Sequence, residues 1–122
     1  SQQVVLQGVL AAYFEENDID AIIFPTIPLP ARFVADIVDA ADPTQPLIDL
    51  DGTPVTTLAY SRNVNIASSA NLPGLNLPVG LTSDGLPIGI EIDGLTGDDR
   101  ALLAIGLALE TVLGQVPAPI LP

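Results

Sequence analysis

The chain has 122 residues, is 48% hydrophobic and only 15% charged, and sets 15 acidic residues against three arginines for a formal net charge of −12. That charge argues against a nucleic acid or an anionic membrane surface as partner, since both demand basic patches. The sequence holds no His, Cys or Lys, which removes imidazole and amine bases, thiol nucleophiles, disulfides and nearly all zinc sites.

The length suits about one small domain. An ordinary domain carries roughly 25% charged residues, so this one has few polar groups with which to cover itself. Part of its apolar surface is therefore expected to lie under other protein; the alternative is a compact apolar core beneath a Pro-rich surface. No apolar run approaches the length of a membrane span, and Ser1-Gln2-Gln3 does not open a signal peptide. A chain without Cys fits a reducing, cytoplasmic compartment. The absence of Met hints at a fragment.

In chain order, residues 2–17 predict a helix: Val5, Val9 and Tyr13 recur at helical spacing, with Leu6, Leu10 and Phe14 beside them. Residues 21–24 form a short continuous apolar run stopped by Pro25, the pattern of a strand buried on both faces. Six prolines between 25 and 56 predict a long loop, with a small hairpin about Asp51-Gly52. Residues 57–70 predict a helix ended by Asn71-Leu72-Pro73-Gly74. Residues 75–81 and 86–92 predict a hairpin joined by Thr82-Ser83-Asp84-Gly85; Pro78 and Pro87 point to edges, bulges or strand starts. Thr96 is expected to cap a helix with Asp99 three residues on. That helix is apolar over most of its circumference, and Gly114 closes it.

Several of these segments, in this order, resemble the amidase signature family. Asp20-Ala21-Ile22-Ile23-Phe24-Pro25-Thr26-Ile27-Pro28 resembles its late strand and Pro-Thr loop. Asn71-Leu72-Pro73-Gly74-Leu75-Asn76-Leu77-Pro78-Val79-Gly80 resembles its Asn-x-x-Gly entry into a strand. Asp84-Gly85-Leu86-Pro87-Ile88-Gly89-Ile90-Glu91-Ile92 resembles its Gly-Leu-Pro-x-Gly strand, and residues 99–110 its last helix. The run from Gly89 to Gly94, the Asp99-Arg100 pair, residues 103–110 and Arg62-Asn63 are similar to indoleacetamide and mandelamide hydrolases.

The resemblance implies an α/β fold: the C-terminal portion of the amidase-signature fold, a mixed sheet flanked by helices, ordered helix–strand–long loop–helix–hairpin–helix. Residues 1–122 would be a C-terminal fragment of one such domain. Family members cleave carboxamides with a Ser nucleophile, a second Ser in a cis peptide and a Lys base. With no Lys, this chain is expected to hold no complete triad and to contribute no catalytic residue. Ser68 and Ser69 lack the flanking glycines of the family's nucleophile segment and are read as helix residues.

The resemblance makes Thr26 and Ile27, after a strand end where α/β sheets place ligand crevices, candidate substrate-binding residues. Arg62 and Asn63 either face the same pocket or pin a loop. Asn65 and Asn71 are read as tying main-chain groups, and Glu91 and Glu110 as carboxylates with a neighbour or part exposure. No cofactor or metal is implied. The expected partners are an upstream catalytic portion of the same amidase and a small amide substrate, with no nucleic acid and no membrane; a homo-oligomer stays open. So do two alternatives: a non-catalytic interaction module on the amidase framework, and a fragment of an amidotransferase A-type subunit.

Overall fold

In the computed structural model, which describes residues 1–38, 44 and 46–118, α1 runs Gln2–Asn17 as the apolar spacing predicts. Only Phe14 is buried; Val4, Val5, Val9 and Tyr13 are at least half exposed. The helix ends on Asp18 in the left-handed conformation, and Ile19 donates its N–H to the Phe14 carbonyl at 3.2 Å. Asp tolerates that conformation better than most residues with a side chain.

Strand β1, Ile22–Pro25, pairs antiparallel with β6, Pro87–Asp93, which pairs antiparallel with β5, Gly74–Leu81. The order is β1-β6-β5, which makes β1 an edge strand among the described residues. The expected strand buried on both faces is therefore corrected: its residues alternate between half-buried and exposed, and Ile23 is 55% exposed. The reason is that α3, Asp99–Leu113, packs across β5 and β6. Leu77, Ile92 and Leu102 form the core there, with Leu75, Ile90, Ile105 and Leu109 packed around them.

The hairpin forms as predicted, and both prolines sit where strand geometry tolerates them. Pro87 begins β6, and the register slips between Pro78 and Gly80, leaving an extra residue in β5. Because side chains alternate, Ile90 and Ile92 of β6 face α3 while Gly89, Glu91 and Asp93 point to the other face; Ile88, at the start of the strand, is exposed.

A second, smaller sheet has the order β2-β3-β4, from Ile37–Val38, Leu47–Leu50 and Thr53–Thr56. Its β3–β4 turn has positive φ at both central residues, 50° at Asp51 and 84° at Gly52. That is the tight hairpin turn whose twist matches its strands and which favours Asp-Gly. Gly52 also donates its N–H to Asp49 Oδ1 at 2.6 Å. Strand β2 is too short to show in the sequence pattern.

Two further expectations need correction. Residues 57–70 are not one helix: a 3-10 turn at Thr57–Ser61 is followed by α2 at Asn65–Ala70. Polar side chains there take main-chain partners outside a continuous helical ladder, as Ser and Asn commonly do. Ser61 Oγ donates to the Leu58 carbonyl and Asn63 Nδ2 to that of Pro25. Likewise Thr96 does not cap the last helix. The turn at Gly97, φ 93°, precedes it; Asp98 is the N-cap residue, without a side-chain capping bond.

α2 buries Ala67 and Ala70, packs on α1, and receives a 2.7 Å hydrogen bond from Gln7 Nε2 at the Ala70 carbonyl. Asn71 closes it in the left-handed conformation, φ 53°. The whole is an α/β fold with a sheet flanked by helices.

Candidate functional site

The site starts where β1 runs out. Thr26 donates its N–H to the Gly89 carbonyl at 3.2 Å, carrying the β1–β6 ladder one residue past the strand. Beyond it, Pro28 and Pro30 fix φ and withhold N–H groups, so the segment leaves the sheet as a loop. Two side chains from the 57–63 segment hold that loop. Asn63 Nδ2 donates to the Pro25 carbonyl at 2.8 Å, and Tyr60 Oη to that of Pro30 at 3.1 Å.

Between the loop, β5 and the start of β6 lies a cavity of about 730 Å³. Its walls are mostly aliphatic: Ile27, Leu29, Leu86, Ile88 and the prolines of the loop. A polar pair interrupts them, Asn76 donating from Nδ2 to Thr26 Oγ1. Gly89 makes room for it. A Cβ there would lie 2.8 Å from Asn76 Oδ1 and 3.4 Å from Thr26 Oγ1.

A half-open apolar pocket with few placed polar groups suits a small organic ligand. It does not suit bond cleavage by these residues alone. The Thr26 hydroxyl accepts a hydrogen bond from an amide and has no base beside it, and a hydroxyl needs one to attack at neutral pH. Ser68 lies on α2 with its Oγ donating to the Val64 carbonyl at 3.0 Å, and Ser69 is exposed. Both are helix residues, as expected. Among the described residues no group of three or more acidic side chains could hold a metal ion, and no helix is long and apolar enough to cross a membrane.

Of the four residues singled out by sequence, Thr26 and Ile27 line the cavity. Asn63 stands behind it, tied to the loop backbone. Arg62 is exposed and is not part of the lining. Sequence reasoning passed over Asn76, Tyr60 and Gly89. A signal for two of them was present: Gly89 interrupts an alternating strand, which often marks a close approach, and Asn76 interrupts the leucines of the facing strand.

Farther along the same face, Asp93 is 2% exposed and its Oδ1 has no hydrogen-bond partner. Desolvation, with the nearby Glu91 charge adding to it, pushes its carboxyl up from 3.8 to about 6.

The family model described as Amidase matches residues 2–103. An indoleacetamide hydrolase of Agrobacterium vitis is 48% identical over 109 residues, 88% of this chain and 22% of that relative. A mandelamide hydrolase of Pseudomonas putida is 38% identical over 107 residues, 87% of this chain and 18% of the relative. A crystal structure of an amidase superposes with a TM-score of 0.68 at 25% identity, covering 91% of this chain and 24% of that one. The chain thus spans about a fifth of the length of the curated relatives it matches. With the family model matching most of its length, the chain belongs to the amidase signature family.

Proposed function

We propose that these 122 residues are the C-terminal portion of an amidase domain and form the acyl-side wall of its substrate pocket. The whole enzyme hydrolyses a carboxamide, of the aryl-acetamide class, to a carboxylate and ammonia. The observation that carries this reading is the aliphatic cavity at the end of β1, with its Thr26–Asn76 pair and no base to make either side chain reactive. An aromatic acyl group gains from desolvation in such a space, while the scissile amide must reach catalytic groups that a chain without Lys, His or Cys does not hold. The Ser, cis-Ser and Lys machinery belongs to the rest of the polypeptide, which also covers the apolar surface left open here. The similarity to an indoleacetamide hydrolase and a mandelamide hydrolase supports the substrate class.

We assign Thr26 and Ile27 to contact with the acyl group and Asn63 to holding the loop in shape; Arg62 is left at the surface. The test is Ile27→Ala in the full-length enzyme, assayed by ammonia release against amides of graded acyl size. Removing a few methylenes from a pocket wall shifts selectivity by about 1–3 kcal/mol, so the preference should move toward bulkier acyl groups. Equal rate losses for every amide would place Ile27 away from the acyl group. The 122-residue chain itself should release no ammonia; turnover lost on mutating Ser68 or Ser69 would overturn the assignment of the chemistry elsewhere.

A further inference from the structure

The sheet face turned away from α3 carries two features separated along β6. One is the cavity end at Gly89. The other is Asp93, four residues and about 13 Å farther on, so it is no part of the acyl pocket. The register sets Asp93 opposite Gly74 on β5 and Ile22 on β1. A Cβ on Gly74 would lie 3.0 Å from Asp93 Oδ1 and 3.3 Å from Glu91 Oε1. Two carboxylates therefore converge over a residue with no side chain. Gly74 is exposed and Glu91 half-buried, so the niche is open on that side while Asp93 forms its floor.

This arrangement is unfavourable as it stands. A buried carboxylate is normally paired or richly hydrogen-bonded, yet Asp93 Oδ1 has no partner and its nearest charge is another carboxylate. A cationic donor entering over Gly74 would satisfy the free oxygen and remove the repulsion together. Nothing in this chain supplies one. It has no Lys or His, and Arg32, Arg62 and Arg100 are all exposed.

We propose that Asp93 and Glu91, over Gly74, form the seat of one basic side chain, Arg or Lys, carried by the part of the amidase polypeptide outside these residues. This rests on the reading that the chain is a portion of a longer amidase. The matched relatives are roughly five times its length, with ample chain to bring such a residue. A cationic substrate is the poorer occupant, since the seat lies away from the cavity and its floor is closed.

The test is a structure of the full-length enzyme combined with a double-mutant cycle. The expected result is one Arg or Lys nitrogen within hydrogen-bonding reach of Asp93 Oδ1. Asp93→Asn, or Met at that basic residue, should each lower the folded-to-unfolded ratio by roughly a hundredfold or more, as for breaking a buried ion pair; the double variant should lose little beyond the worse single. An active full-length amidase in which Asp93 meets only water, a neutral donor or another subunit would sink the seat and leave the amidase reading standing. So would an Asp93→Asn variant as stable as the native enzyme or more so. A gene encoding only these 122 residues would end both.

Discussion

Thr26, one residue past β1, and Asn76 of β5 lie on either side of β6, and Gly89 of β6 leaves the space in which they meet. Their hydrogen bond should couple them energetically. In the full-length enzyme, Thr26→Val and Asn76→Ala are expected to destabilise separately, with a coupling of about 0.5–1.5 kcal/mol in a double-mutant cycle. Strictly additive losses would show that the two side chains act alone. Asp93 makes a different prediction, for the 122-residue chain with its seat empty. A carboxyl raised from 3.8 unfolded to about 6 folded binds its proton more tightly in the folded state. Its contribution to stability is thus full below about pH 4 and lost as pH rises through 6. Relative to Asp93→Asn, which cannot ionise, whatever folded population the dilute chain holds should lose roughly 2 kcal/mol of stability between pH 4 and pH 7.5. Denaturant unfolding of both at the two pH values checks this; a pH-independent difference between them would mean that Asp93 is solvated. Thr26 was legible because it follows a strand end. Asn76 was not, since its role depends on which strand lies across the sheet.

The elements that the sequence announced are those whose signal is local. The Asp51-Gly52 turn demands positive φ at two adjacent residues, and few dipeptides permit it. The 87–93 strand alternates strictly, and Pro78 falls at the register slip as its missing N–H requires. The elements misread are those settled by distant partners. Nothing near Asn63 says that its amide will be drawn to the Pro25 carbonyl, 38 positions earlier, yet that bond lies in the gap between the 3-10 turn and α2. Thr96 had the residue spacing of a capping box, but the turn centred on Gly97 places the first helical residue after Asp98. The edge position of β1 was equally hidden, because the apolar run of residues 21–24 reads alike for a strand flanked on two sides or one.

The molecule as a whole exposes more apolar surface than its size justifies. Val4, Val5 and Val9 on α1 and Leu103, Leu107 and Val112 on α3 are all at least 59% exposed. Each fully buried aliphatic side chain of this size contributes about 1.5–3 kcal/mol, against a total domain stability of about 5–15 kcal/mol. Several such side chains left in water are enough to undermine the fold. At working concentrations the isolated chain is therefore expected to bind a hydrophobic dye and to self-associate. Sedimentation and dye fluorescence test this: a monodisperse monomer with a sharp melt and no dye binding would identify a self-sufficient domain.

Tyr60 and Asn63 grip the pocket loop by the carbonyl oxygens of Pro30 and Pro25, and not by any side chain of the loop. Every amino acid carries that oxygen. At Ile27 and Leu29 the path of the loop is thus uncoupled from what it displays, and these two residues are free to diverge without loosening the anchor. Among enzymes built this way, a lineage could drift from one acyl group to another by single replacements at positions 27 and 29, while Tyr60, Asn63 and the loop prolines stay unchanged.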